Sequence, residues 1–154
     1  MGIFKEDIIQ FGNLIDTEVE VRFKEGDFNK VYEDLTFKFT PDYLSIRGTK
    51  KVLLFRRSFE LRAKPDERNV FNIRNGATRD LGIILYIIVP AGSEIVSTKD
   101  GIEVDGEKLK ISVWRVLKRT KVYSDIPDAF KDKLMITRYK LADSSLSAYI
   151  TVTK

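Results

Sequence analysis

The sequence has neither cysteine nor histidine among its 154 residues. Without cysteine the chain forms no disulfide and binds no zinc ion through sulfur. Without histidine it lacks the commonest general base and the commonest ligand of transition metals. Any catalysis would therefore depend on carboxylates, lysine, tyrosine, serine or a hard metal ion, and we expect a protein that is not an enzyme and needs no cofactor.

A large excess of either charge is also missing, since 27 Lys and Arg residues face 23 Asp and Glu residues, for a formal net charge of +4. A pI of about 9.2 permits contact with nucleic acid but does not require it. With 43% hydrophobic and 32% charged residues, the composition is typical of a globular protein with a hydrophobic core. Glutamine occurs once, at Gln10, while Lys, Arg, Glu and Ile abound, as in thermophile proteins.

Hydrophobic runs are short. The uncharged run Ile83 to Val89 has seven residues, whereas a membrane-spanning helix needs about 20. We therefore expect no membrane span and, because Lys5, Glu6 and Asp7 interrupt the apolar N-terminus, no signal peptide and a cytoplasmic location. The run is rich in β-branched residues, which predicts a central strand buried on both faces.

Apolar residues alternate with polar ones along most of the chain, which predicts an all-β, antiparallel β-sandwich of immunoglobulin-like type. Residues 1–15 instead follow helical spacing and predict a short amphipathic helix. The pattern predicts strands at 19–23, 35–39, 44–46, 52–61, 70–73, 83–89, 109–113, 121–124, 135–141 and 146–152, breaks at 41–42, 48, 64–67 and 75–76, and a helical turn at 127–133. Phe55 and Phe59 are expected on the core face of one strand.

The two halves of the chain resemble each other. Leu44-Ser45-Ile46 precedes Leu109-Lys110-Ile111 by 65 positions (109 − 44), and each half ends on a Tyr-Ile-x-Val strand. We therefore divide the chain into a β-sandwich repeat at 16–91 and a second, shorter repeat at 92–154 packed on the first. A true duplication, a chance likeness of alternating strands, and one compact domain all stay open.

Residues 17–90 also carry an ordered set of short motifs: Leu44-Ser45-Ile46, then Arg57-Ser58-Phe59-Glu60-Leu61, then Asn75-Gly76, and finally Leu85 to Pro90. This order resembles the alpha-crystallin domain of small heat-shock proteins. Arg62 stands where that family has a proline, and the chain has no flexible Ile-x-Ile tail. The resemblance implies an alpha-crystallin-like sandwich and a chaperone-like or protein-interaction module that self-associates or binds a protein partner, without cofactor or catalysis.

One carboxylate cluster bears on catalysis. A metal-dependent nuclease needs carboxylates that converge on a magnesium ion beside a lysine. The chain offers Asp100, Glu103, Asp105 and Glu107 near Lys108. Because these residues surround two glycine-containing turns, the favoured interpretation is a solvated loop, and no metal site is predicted.

Basic and aromatic residues interleave in two places, which yields four candidate interaction residues: Arg57, Lys110, Trp114 and Arg115. If Leu109, Ile111 and Val113 face inward, Trp114 shares the outer face with Lys110. An exposed tryptophan with basic neighbours is typical of a protein interface, the predicted function. Stacking of nucleic-acid bases on it is the alternative, a nucleic-acid-binding accessory protein. Nothing in the sequence points to a small-molecule substrate.

Overall fold

The computed structural model describes residues 17–153, so the predicted N-terminal helix at 1–15 lies outside the described residues. Strands dominate the described chain, and they form two antiparallel sheets accompanied by short helices. This arrangement confirms the prediction of a mainly β, sandwich-like fold. The immunoglobulin-like or alpha-crystallin-like type stays a prediction.

The secondary-structure elements within residues 17–153 follow in chain order: β1 (Val19–Lys24), α1 (Glu25–Val31), β2 (Thr36–Phe39), β3 (Leu44–Val52), β4 (Phe55–Asn75), β5 (Thr78–Val89), α2 (Ser93–Val96), β6 (Ile102–Asp105), β7 (Lys108–Ser112), α3 (Trp114–Leu117), α4 (Lys121–Asp125), α5 (Asp128–Lys131), β8 (Leu134–Ala142) and β9 (Ser145–Val152). The larger sheet has the strand order β2-β3-β4-β5-β7-β6, and the smaller one β1-β9-β8. Each sheet therefore combines strands from both predicted repeats. The division at residue 91 stays a prediction.

The strand β4 is 21 residues long, and it includes the segment predicted as a turn at 64–67. That prediction is wrong. Pairing with β5 instead jumps from Pro65↔Leu85 to Val70↔Ile83. A proline cannot donate to a strand ladder and is tolerated at such irregularities, so the chain bulges where we expected it to reverse. The predicted strand at 70–73 is the second half of β4.

Two side chains, one at this bulge and one just beyond it, connect the two sheets. The Tyr139 hydroxyl of β8 donates to the Ile84 carbonyl of β5 at 2.8 Å and accepts from the Asp66 amide at 2.9 Å. The Asn72 amide group donates to the Ile136 carbonyl at 2.9 Å and accepts from the Ile136 amide at 2.8 Å. Tyr139 thus bonds backbone groups left unpaired by the bulge of β4, and Asn72 bonds those of Ile136, where the pairing of β8 with β9 is irregular.

The predicted central strand at 83–89 is confirmed as part of β5, between β4 and β7. Its burial on both faces is wrong for the second half. Leu85 is fully buried, whereas Tyr86 is 40% and Ile88 55% exposed. The smaller sheet covers only one face of the strand, so alternate residues of the apolar run face outward. No helix within residues 17–153 is long and apolar enough to cross a bilayer.

The segment predicted as a strand at 121–124 is instead the helix α4, so that prediction is wrong. The Thr120 hydroxyl caps this helix by accepting a hydrogen bond from the Tyr123 amide. The predicted helical turn at 127–133 is confirmed as α5. Aromatic residues fill the core between β1, α1 and β2, where the rings of Phe23, Phe37 and Phe39 surround that of Phe28.

Candidate functional site: the β3–β4 arm

Trp114 does not lie on an outer strand face, and the prediction that it points to solvent is wrong. The strand β7 ends at Ser112, and Trp114 begins the helix α3, where the residue is only 7% exposed. Its ring packs edge-on against Tyr123 with the centroids 5.5 Å apart. The chain turns inward after Val113, so the alternation along β7 does not extend to Trp114.

The Arg79 guanidinium completes the environment of Trp114. It lies over the indole ring, 5.4 Å from the centroid. Burial lowers the pKa of this guanidinium, and none of its nitrogens makes a hydrogen bond within the described residues. Attraction between the cation and the face of the indole ring therefore helps to stabilise the Arg79 charge, which no hydrogen bond from the described residues stabilises. Trp114 serves the core rather than an exposed docking surface.

Lys110 and Arg115 are separated in the structure. Lys110 is half-buried on β7, opposite Glu103 of β6. Arg115 is exposed on α3 and borders a cavity of about 530 Å³ with Asp34, Lys99 and Lys118. Cations and carboxylates are mixed in this cavity, and Lys99 pairs with Asp34 at 3.7 Å. It therefore offers no concentrated charge of one sign to a ligand.

The carboxylates that suggested a nuclease are spread around the β6–β7 hairpin. Glu103 and Asp105 lie on β6, opposite Lys110 and Lys108 respectively. Within residues 17–153 no group of three or more Asp or Glu side chains is arranged to hold a metal ion. Glu103 and Asp105 each lie across the ladder from a lysine, which is a favourable arrangement of opposite charges on paired strands.

Arg57 lies in the most unusual surface feature of the described chain. Residues 48–59 of β3 and β4 form a two-stranded ribbon, here called the arm. The pairing of β2 with β3 ends at Arg47, and the pairing of β5 with β4 begins at Arg62. Between these limits the two strands of the arm pair only with each other.

The end of the arm is apolar and exposed. Val52 pairs with Phe55, which leaves Leu53 and Leu54 as a two-residue loop. The exposed fractions are 85% for Leu53, 93% for Leu54 and 72% for Phe55. The prediction that Phe55 belongs to the core is therefore wrong, whereas Phe59 is buried as expected. Scattered exposed hydrophobics are ordinary, but a contiguous exposed apolar cluster marks an interaction site.

The loop of the arm also breaks the usual choice of turn residue. Leu53 has a φ of +55°, in the left-handed region that side chains other than Gly and Asn disfavour. The β4–β5 and β6–β7 hairpins have two-residue loops too, and they place Gly76 (φ +61°) and Gly106 (φ +59°) at the same position. The chain thus uses glycine for this turn twice and leucine only at the end of the arm. Backbone strain of this kind concentrates at functional sites.

Cations flank the apolar end on both strands. Lys51 lies opposite Arg56, and Lys50 lies opposite Arg57 one step further down. Like charges directly across a ladder destabilise a sheet. Lys51, Arg56 and Arg57 form no ion pair with any residue of the described part of the chain. Their charge is therefore available to an external anion.

The base of the arm is firmly held. The Phe59 ring covers Gly48, where a Cβ atom would come within 2.7 Å of the ring, so Gly48 continues β3 and does not break the chain as predicted. On α2, the Glu94 carboxylate pairs with Lys50 at 2.9 Å, and this hydrogen bond lowers the pKa of Glu94. The arm is thus a supported projection with a free apolar end.

Of the four predicted interaction residues, the structure places only Arg57 in this site. The sequence did not predict the other residues of the arm as interaction residues, because 52–61 was interpreted as a single strand. One feature of the sequence could have indicated the arm. The segment KKVLLFRR at 50–57 is symmetric, with two cations on each side of four apolar residues, and contains no ordinary turn residue. Comparison of the chain with models of protein families, with curated proteins and with solved structures finds no match.

Proposed function

We propose that this protein is a non-catalytic binding module whose arm docks on a partner that offers an apolar interior behind an anionic rim. The observation that carries the proposal is the exposed apolar end at 53–55 on a strained turn. Three departures from ordinary hairpin design coincide here: apolar side chains in water, a leucine at positive φ, and like charges in register. Departures from the usual local preferences of a sequence are expected at functional sites.

The proposal continues the interaction function predicted from the sequence but moves the site from Trp114 to the arm. The resemblance to the alpha-crystallin domain supports the same general role. The motif segments at 44–46 and 57–61 lie on β3 and β4, and the segment at 85–90 lies on β5 except for Pro90; these three strands are neighbours in the larger sheet. A chaperone-like activity remains a proposal that rests on this resemblance.

The absence of cysteine allows a direct test. A Leu54→Cys variant carries a single thiol at the end of the arm, to which an environment-sensitive fluorophore is attached. The matched control is Ala77→Cys in the β4–β5 loop, because Ala77 is also exposed in a two-residue hairpin loop. Each labelled protein is titrated with anionic vesicles, with duplex and single-stranded DNA, and with unlabelled protein.

We expect a blue shift and an intensity rise at position 54, and none at position 77, with at least one of these partners. Equal responses at both positions would show that binding does not involve the arm. A folded protein whose position 54 responds to none of the partners would contradict the docking role.

A further inference from the structure

The chemistry of the arm indicates one class of partner in particular. Resting on the proposed docking role of the arm, we propose that its partner is the surface of a bilayer that contains anionic lipids, into which residues 52–55 insert. The proposal concerns surface attachment by a hairpin and involves no membrane-spanning segment.

The dimensions of the arm fit this partner. Lys51 and Arg56 are one residue below the pair Val52 and Phe55, and the loop adds Leu53 and Leu54 beyond it. With a rise of about 3.3 Å per residue, the apolar end extends about 5–7 Å past the nearest cations. Peripheral elements bury their apolar side about 5–10 Å deep, at the boundary between headgroups and acyl chains. Inserted end-on, the arm would therefore place its cations among the headgroups.

The distribution of charge around the arm fits a planar surface. Successive residues of a strand point to opposite faces, so the pair Lys51 and Arg56 lies on one face of the ribbon and Lys50 and Arg57 on the other. A flat anionic surface met end-on reaches the cations of both faces, whose pairs differ in depth by one residue, about 3.3 Å. A partner that bound one side of the ribbon would leave the cations of the other side unused.

The side chains at the end of the arm favour lipid over nucleic acid. Single-stranded nucleic acids are bound by stacking bases on aromatic rings, whereas two of the three most exposed residues here are leucines. Apolar side chains that insert into a DNA duplex enter from the minor groove of a bent helix. This binding mode also needs cations along the wrapped DNA, and not only next to the inserted side chains. Arg47 and Arg62, which flank the arm, are both engaged by Glu60 at 3.5 and 3.4 Å.

Attachment through this arm should be reversible and sensitive to salt. Each Lys or Arg near an anionic bilayer strengthens binding about five-fold, and the effect falls off within a Debye length. Because Lys50 already pairs with Glu94, three cations contribute mainly: Lys51, Arg56 and Arg57. Burial of the apolar end contributes to the binding free energy independently of salt.

The test is co-sedimentation of the whole chain with vesicles of phosphatidylcholine, with and without phosphatidylglycerol. We expect binding only to the anionic vesicles, weakened by salt. The double variant Lys51→Ala/Arg56→Ala should lower the partition coefficient roughly 25-fold, as the product of two five-fold effects. The matched control Lys108→Ala/Lys140→Ala removes the same charge from exposed strand positions elsewhere and should change it little.

Leu54→Ser is the second variant, because its side chain is 93% exposed and the substitution spares the fold. It should weaken vesicle binding at high salt as well as at low salt. A fluorophore at position 54 should also be quenched by lipids brominated in the acyl chain, whereas one at position 77 should not.

Several results would overturn the membrane proposal. These are no binding to anionic vesicles, equal loss in the arm and control double variants, and insensitivity to Leu54→Ser. A response of position 54 to DNA or to unlabelled protein but not to vesicles would also reject the membrane as partner while leaving the docking role of the arm intact. No response to any partner would reject both.

Discussion

At the scale of single residues, Leu53 adds apolar surface to the end of the arm but destabilises the turn in which it lies. A left-handed conformation costs an ordinary L-residue about 1–2 kcal/mol. The protein avoids this cost at Gly76 and Gly106, which occupy the same position of their own two-residue hairpin loops. A leucine in that position contributes apolar surface at the expense of the turn, as expected where activity and stability are traded against each other.

Replacing this leucine should therefore stabilise the fold. We expect Leu53→Gly to raise the free energy of unfolding by about 1 kcal/mol, because glycine adopts the positive φ without steric strain. Urea unfolding measures the change. Leu54→Gly is the matched control, since it removes the same side chain from a residue that has no positive φ, and it should not stabilise. A loss of stability in Leu53→Gly would show that the exposed side chain supports the fold.

At the scale of elements, the long strand β4 pairs with two different neighbours within the larger sheet. Its first half pairs with β3 and forms one side of the arm, and its second half pairs with β5. Between them the bulge at 65–70 interrupts the ladder, and the Tyr139 hydroxyl satisfies the backbone groups of Asp66 and Ile84 there. Asn72 satisfies the backbone groups of Ile136, where the pairing of β8 with β9 is irregular. The smaller sheet is thus joined to the larger one by side-chain hydrogen bonds as well as by packing.

Removing the Asn72 amide should loosen this junction. Asn72→Ala leaves the Ile136 amide and carbonyl without their partner, and each unsatisfied buried group costs about 1–3 kcal/mol. We expect a loss of unfolding free energy of about 2–6 kcal/mol, the sum for two groups, and faster hydrogen exchange at the Ile136 amide. Asn69→Ala is the control, because that residue lies within the bulge and its side chain makes no hydrogen bond to the described residues. Similar losses in both variants would contradict a specific role for Asn72.

At the scale of the whole molecule, burial of two tyrosines links stability to alkaline pH. Burial raises the pKa of Tyr139 and of Tyr32 above the ordinary value of 10.0. Both phenols donate hydrogen bonds to backbone carbonyls, Tyr139 to Ile84 and Tyr32 to Ser112. The folded state therefore keeps both protons at a pH where the unfolded chain releases them.

Because the unfolded state binds fewer protons above pH 10, the free energy of unfolding should fall as the pH rises through that value, by about 1.4 kcal/mol per pH unit for each tyrosine. Below pH 10 this contribution is fully present. Urea unfolding between neutral pH and pH 11 measures the slope. In Tyr139→Phe, the free energy of unfolding should fall less steeply above pH 10, because only one of the two buried tyrosines remains. The variant should also be less stable at neutral pH.

Tyr86→Phe is the control for this measurement, because Tyr86 is 40% exposed and contacts water in the folded state. It should leave the alkaline slope nearly unchanged. An equally steep slope in Tyr139→Phe would show that the Tyr139 phenol does not ionise on unfolding as the structure requires.

Local pattern by itself determined the fold class of this protein and most of its strands. Alternation with a period of two follows from the strand itself, in which successive side chains face opposite sides, so β1 and β7 could be read directly from the residues. The run at 83–89 was recognisable as a strand because β-branched residues fit a pleated surface. The absence of cysteine and histidine likewise needs no structure to be informative.

Tertiary structure decided where the chain reverses and which side chains face solvent. The loop at Leu53 carries no turn residue, and Pro65 lies in a strand instead of a turn, because cross-strand pairing and packing overrode local preference. Trp114 is buried since the chain leaves the strand after Ser112 and packs α3 inward. The arm became visible only once the limits of pairing by β2 and β5 were known, because exposure is a property of neighbours distant in the chain and not of the residue itself.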